Sequence, residues 1–356
     1  MWKYIIAIIV FSLGLCACDE HRTSAPVVAC RRTVLVYMEA RNNLASEALD
    51  DLDEMRRGEI PADSRLLVYR SRRGEPNPVL CEVFEGGDSV LVNYSDTVLA
   101  TDPKHMANVL ADVRRLAPSR EFGMVFWSHS SGWRQKASRG FGSENGRMMT
   151  VTDLALALGS DRAIDFLFFD CCYMGCAEVA YELRNCADYM VASPCEVPVG
   201  GMPYDLTLAE LFNPDLTEGL KNAVDLTVDS YLADPAERCP STLSVVDLRK
   251  MDELIEAVEP VLGNELPEGF KPQRFSRDVP YKYMFTDLEQ YIGALGASIP
   301  DGVILHERHT PKIWSTIDLT HCSGLTIYMP DPKNGFDYTY RGYNTLSWAK
   351  YLHLNQ

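Results

Sequence analysis

The most reactive side chains in this sequence stand at the ends of apolar runs. Asp165-Phe-Leu-Phe-Phe169 is followed at once by Asp170-Cys171-Cys172-Tyr173-Met174-Gly175, and Phe122-Gly-Met-Val-Phe-Trp127 by Ser128-His129-Ser130-Ser131-Gly132-Trp133. A cysteine and a histidine brought together form a nucleophile and its base, the sulfur attacking while the imidazole carries the proton. A thiolate at a helix N-terminus beside an imidazolium has a lowered pKa, and the chain after Cys172 is expected to run straight into a helix from Met174 to Leu183. No zinc site is expected here. Cys171, Cys172 and Cys176 crowd one turn, but His129 is the one obvious fourth ligand. The sequence has no HExxH, GxSxG or CxxC and no glycine-rich phosphate loop. His306, His309 and His321 fall in loop-like sequence and read as surface or packing residues. Arg70, Arg72 and Arg73 read as a solvated loop edge, and Glu47, Asp50, Asp51, Asp53 and Glu54 as the solvated side of a helix.

Parallel strands bring such residues together at their carboxyl ends, and the pattern predicts them. Apolar runs of strand length occur at Thr33–Met38, Arg65–Tyr69, Phe122–Trp127, Asp165–Phe169 and Tyr189–Ala192. A hairpin is expected from Val79–Phe84 and Ser89–Asn93 around Gly86-Gly87, a helix from Leu44 to Met55, another over Pro103–Leu116, and a short one opening at Thr152. Continuous apolar strands alternating with helices imply α/β architecture with a mostly parallel sheet covered on both faces. From about Pro214 the pattern shifts. Helices are expected over 216–232, 248–261, 285–295 and 343–354, strands over 241–246 and 324–328, and a long loop over 263–280.

Of 356 residues, 46 % are hydrophobic and 24 % charged, enough to bury a large core and too apolar for disorder. With 34 Lys+Arg against 50 Asp+Glu, the net charge of −16 argues against nucleic acid as a partner, since phosphate binding needs a cationic surface. It suits basic substrates and solubility equally well. Eleven cysteines are too few for a disulfide scaffold. Met1-Trp2-Lys3, the apolar run Tyr4–Leu15 and Leu15-Cys16-Ala17-Cys18 resemble a bacterial lipoprotein signal, which implies a signal peptide over 1–17, lipid on Cys18, a tether over 18–30, and anchoring to the membrane at the cell envelope. An ordinary secretory signal cleaved nearby is the alternative.

The segments Thr33–Met38 with Asn42-Asn43-Leu44, His129–Trp133, Phe169–Met174 with Glu178-Val179, Val191–Ser193 through Gly201 and Tyr204, and Ser323–Pro330 together resemble the clostripain family of cysteine peptidases, whose fold is caspase-like. The resemblance implies a caspase-like catalytic core over 31–213, with an additional α/β region over 214–356 packed on it. It implies Cys172 as nucleophile, His129 as the histidine that orients the scissile peptide and protonates the leaving amine, and Cys171 as a structural thiol. Asp170 is then the acid at the floor of the S1 pocket, selecting Arg or Lys at P1. Self-cleavage is implied in the polar loop 134–147, with Arg139, Arg147 and Lys136 as candidate sites. No cofactor is required, calcium is the candidate ion, and the partners are protein or peptide substrates of a monomer. Ser130-Ser131 stands where the family has Gly after the histidine, and Arg41 where it usually has Asp. A catalytically weak or inactive lipoprotein that uses the same fold to bind is the competing reading.

Overall fold

The structure is a computed structural model and describes residues 29–134, 140–234, 241–262, 264–276, 284–310, 319–331 and 337–353. The 1–17 signal, Cys18, Lys136 and Arg139 lie outside the described residues. The first half contains β1 (Cys30–Ala40), α1 (Glu47–Arg57), β2 (Arg65–Arg72), β3 (Val79–Phe84), β4 (Gly87–Asn93), α2 (Pro103–Leu116), β5 (Ser119–Trp127), β6 (Phe141–Glu144), β7 (Arg147–Met149), α3 (Val151–Leu158) and β8 (Ile164–Asp170). Then follow α4 (Ala177–Leu183), β9 (Ala187–Ala192), α5 (Tyr204–Leu211), α6 (Leu216–Ala233), β10 (Thr242–Asp247) and α7 (Met251–Val258). The last elements are β11 (Thr286–Asp287), α8 (Leu288–Leu295), β12 (Ile304–His309), β13 (Thr326–Ile327) and α9 (Ser347–Tyr351).

A nine-stranded sheet runs in the order β12-β10-β9-β8-β5-β1-β2-β3-β4. Its five central strands, β9 to β2, are parallel, while the β2-β3-β4 and β9-β10-β12 ends are antiparallel. Residues on a strand alternate between faces, so β1 divides its side chains between two cores. Leu35 and Tyr37 pack with α2, α3, α4 and α7 through Val109, Leu154, Val179 and Leu254. Val34, Val36 and Met38 pack with α1, α5 and α6 through Leu52, Leu208 and Val224. A sheet buried on both faces requires the unbroken apolar strands that the sequence shows.

Several boundaries depart from expectation. The α4 helix begins at Ala177 rather than Met174, because Tyr173 has φ 62°, and Gly175 runs so close to the next loop that a Cβ would lie 2.6 Å from Pro194 N. The expected open loop 134–147 contains part of the β6-β7 hairpin, with Phe141 and Glu144 buried. The expected 285–295 helix is preceded by β11, and the closing helix is a 3-10 turn, Tyr340–Thr345, followed by α9. Residues 304–309, read as loop, form edge strand β12 and carry His306 and His309. Strands β10 and β12 extend the sheet of the first half, so the chain beyond 214 contributes to the same sheet. No helix among the described residues is long and apolar enough to cross a membrane.

Candidate active site

Strand β1 pairs with β2 on one side and β5 on the other, so the chain reverses direction of build-up there, and a crevice forms outside the strand ends at such a point. Asn42 and Asn43 follow β1, His129 follows β5 and Cys172 follows β8. Trp127 of β5 is in register with Asp170 of β8, so His129 and Cys172 each stand two residues beyond that pair. The Ser130 hydroxyl donates to the Cys172 carbonyl, tying the two loops together. Gly132, at φ 68°, lets the histidine loop lie against the cysteine loop. A Cβ there would come within 2.8 Å of the Tyr173 carbonyl oxygen.

The cysteine loop is held by β9's continuation. Tyr173 N–H donates to Cys195 O at 2.8 Å and Gly175 N–H to Ser193 O at 2.8 Å. Cys172 is half-buried, and its sulfur accepts the Val197 N–H at 3.4 Å. Burial pushes its thiol pKa up to about 11, the charges of Glu196 and Asp170 adding to this and the Val197 N–H opposing it. The expected helix-dipole activation is therefore not the resting state, since α4 starts only at Ala177. Cys171 is buried with its thiol pKa raised well above the ordinary range by burial, as suits a structural position.

His129 donates from Nε2 to Asn43 Oδ1 at 2.8 Å, leaving Nδ1 with the lone pair. Burial lowers its pKa, with Glu39 and Glu47 pulling the other way, so the ring rests neutral at pH 7. No hydrogen bond joins His129 to Cys172 among the described residues.

Glu39 organises the surrounding loops, and sequence reasoning passed over it. This fully buried carboxylate at the end of β1 accepts from Ser128 Oγ (2.8 Å), Asn42 Nδ2 (2.9 Å), Ser143 N (2.7 Å) and Arg41 N (2.9 Å). It fastens the β1 and β5 loops to the β6-β7 hairpin, whose Gly142 N–H reaches His129 O at 2.9 Å. A charged residue closing an otherwise apolar strand was the available signal. Glu178 plays a similar part behind Trp133: it accepts from Tyr328 N at 2.8 Å and from the Tyr343 hydroxyl at 3.2 Å, and both tyrosine rings pack on Trp133.

Asp170 is 6 % exposed. Both its oxygens lie 3.1 Å from Met202 N–H, and Oδ2 accepts the Tyr204 hydroxyl at 3.0 Å. Burial pushes its pKa up to about 6, with those two donors opposing. Gly201 passes directly over it; a Cβ there would lie 2.9 Å from Oδ2. Asp51, expected on a solvated helix face, is instead buried on the same side of the sheet and accepts from Trp127 Nε1. Desolvation, reinforced by the Asp170 charge, raises its pKa to about 9. Arg70 and Arg72, read as a solvated edge, are paired with Glu75. Arg147 is exposed at the start of β7. Cys30, Cys81, Cys171, Cys172, Cys176, Cys186, Cys195 and Cys322 are all free thiols.

Residues 36–292 match the sequence model of the clostripain family. Clostripain of Hathewaya histolytica is 26 % identical over 213 residues, covering 49 % of this chain and 40 % of that protein, so the match spans less than half the length of this curated relative. A secreted C11 cysteine protease from Bacteroides thetaiotaomicron, solved in complex with an irreversible peptide inhibitor, superposes with TM-score 0.75 at 22 % identity, over 90 % of this chain and 99 % of that one. An inactive zymogen C11 protease from Parabacteroides distasonis gives TM-score 0.75 at 24 % identity, over 91 % and 99 %. Those two structures establish the likeness of fold. With the family match spanning most of its length, the chain belongs to the clostripain family.

Proposed function

We propose that the chain is a cysteine endopeptidase that cleaves after Arg or Lys, with Cys172 as nucleophile and His129 as its proton carrier. The observation that carries this reading is the β5-β8 register, which sets both residues equally far past a paired position at the mouth of the sheet. Because both groups rest neutral, the thiol proton passes to His129 Nδ1 as the sulfur bonds to the scissile carbonyl carbon. Closing the site around substrate brings the two into hydrogen-bond range, a tightening common to catalytic pairs that are loose when empty. The oxyanion falls to the N–H groups of Ser130 and Cys172, since those of Ser131 and Tyr173 are committed to Gly140 O and Cys195 O. Preorganised donors of this kind are worth about 3–4 kcal/mol each. His129 then protonates the amine as the C–N bond breaks, and water releases the acyl group from sulfur.

Asp170 supplies the charge that prefers a basic P1 side chain, Arg pairing with a carboxylate in bidentate fashion. What supports this is its place two residues before Cys172, with its carboxylate fixed by Met202 and Tyr204 beneath a residue that has no side chain. Self-cleavage in 134–147, at Lys136, Arg139 or Arg147, belongs to the same proposal, and wild-type chain should split where Cys172→Ala stays whole. So does lipid on Cys18: Cys18→Ala should move the protein from the membrane fraction to the soluble one, and unchanged partitioning would refute the anchor.

The test is a panel of fluorogenic peptides with Arg, Lys, Asp or Leu at P1. Turnover is expected after Arg or Lys only, abolished by Cys172→Ala and His129→Ala. Preference for basic P1 should weaken as pH falls through about 6, where Asp170 takes a proton, and should shrink at least about tenfold in Asp170→Asn. Absence of turnover under reducing conditions, with and without calcium, would favour the binding reading instead.

A further inference from the structure

We propose that Glu307, His309 and Cys322, none of them part of the Cys172 and His129 pair, form a binding site for a borderline-soft divalent cation of the zinc class. Glu307 and His309 alternate with Arg308 on β12 and therefore share one face of the edge strand. Cys322 reaches that face because the following loop lies flat on the sheet. Gly324, at φ 98°, approaches so closely that a Cβ would meet Ser244 Cβ at 2.8 Å and Glu307 Cγ at 3.3 Å. The loop is fastened at the two residues that follow the cysteine: Ser323 N–H donates to Asp287 Oδ2 at 2.8 Å, and Ser244 Oγ to Gly324 O at 2.6 Å.

One donor atom from each of the three residues lies within 4.8 Å of the other two. Around zinc, ligands at about 2.0–2.3 Å sit roughly 3.3–3.8 Å apart, so small side-chain rotations complete the set. The carboxylate is already oriented: Thr242 Oγ1 donates to Glu307 Oε1 at 2.9 Å, an outer partner of the kind that fixes metal ligands. His309 Nδ1 stands 3.0 and 3.2 Å from the two Glu307 oxygens, and the ion takes the place of the proton shared there. Binding thus releases the Nδ1 proton and the Cys322 thiol proton to solvent. All three residues are half-buried, which leaves room for water as fourth ligand. One sulfur and one imidazole nitrogen select zinc-like ions over calcium or magnesium, which demand oxygen donors. The bound ion would pin the 319–331 segment, and with it β13, to the sheet edge.

The test uses the full chain carrying Cys172→Ala, so that the reactive thiol cannot supply a ligand. Titration with Co2+ should give one equivalent bound with tetrahedral ligand-field bands and a thiolate-to-cobalt charge-transfer band, all displaced by Zn2+. Adding Cys322→Ser should remove the charge-transfer band, and His309→Gln or Glu307→Gln should weaken Zn2+ binding roughly tenfold or more. Zn2+ should raise the unfolding midpoint of the parent and not that of the Cys322→Ser chain. If Cys322→Ser fails to fold, loss of affinity in Glu307→Gln decides. A charge-transfer band that survives Cys322→Ser, or a midpoint indifferent to Zn2+ in the parent, would overturn the site and leave a Glu307–His309 hydrogen bond with a neighbouring thiol.

Discussion

At Cys172 the sulfur is a thiol at neutral pH, because the surrounding protein withholds water from the charged form more than the Val197 N–H repays. At His129 the same cause favours the neutral ring. The resting pair differs from the thiolate–imidazolium pair that the sequence suggested, and the proposed mechanism therefore moves the proton when substrate arrives. Burial has a different consequence at Asp51, whose pKa stands at about 9 against an ordinary value near 4. The folded chain keeps a proton there that the unfolded chain releases at about pH 4. Stability from this group is therefore full below pH 4 and is lost as pH rises towards 9, by up to about 1.4 kcal/mol per unit. Asp51→Asn mimics the neutral form. Chemical denaturation at pH 5 and pH 8.5 should show the substitution neutral to mildly destabilising at the first and relatively more stable at the second. A wild-type-minus-variant difference that does not change with pH would mean Asp51 is ionised in the folded chain.

Among the elements, those governed by local signals were legible. Helix α2 falls on Pro103–Leu116 as expected, because Asp102 caps it through Lys104 N and His105 N and Pro103 opens it. Strands β5 and β8 follow from apolar runs that only a doubly covered sheet can bury. The misread elements are those whose signals come from elsewhere in the chain. The β6-β7 hairpin is polar and glycine-rich in sequence, yet Glu39 holds it from β1 by way of Ser143 N. Edge strand β12 is half-buried along its whole length, with no alternation to mark it, and exists through pairing with β10. Asp51 looked solvated because its partner, Trp127, lies on a strand distant in sequence. The His129 and Cys172 positions were legible as strand ends, while the turn that separates Cys172 from α4 depends on Gly175 meeting Pro194. Close approach of the two loops is the feature most exposed to a single change. Gly132→Ala demands φ 68° of a residue with a Cβ and pushes that Cβ to 2.8 Å from Tyr173 O. A loss of about 1–3 kcal/mol in stability is expected, with at least a tenfold drop (about 1.4 kcal/mol) in kcat/KM, measured by denaturant titration and peptide turnover. Wild-type values for both would show that the loops do not need this contact.

Over the whole molecule, one sheet positions most of the proposed site residues. Glu39 and Asp170 stand at the ends of central parallel strands, His129 and Cys172 two residues past such ends, and the antiparallel addition at one edge carries Glu307 and His309. The net charge of −16 would supply a background attraction for basic peptides, whereas under the proposed reading selection at P1 rests on a single buried carboxylate, Asp170. Eight free thiols among the described residues make the identity of the nucleophile a sharp question. The decisive measurement is to treat the active chain with a peptidyl electrophile bearing Arg or Lys at P1, then locate the adduct by peptide mass mapping. One equivalent on Cys172 is expected, absent from Cys172→Ala and formed at least about a hundredfold more slowly in His129→Ala. Label on Cys171, Cys195 or another thiol, or labelling of Cys172 that is indifferent to His129, would contradict the assignment of this pair.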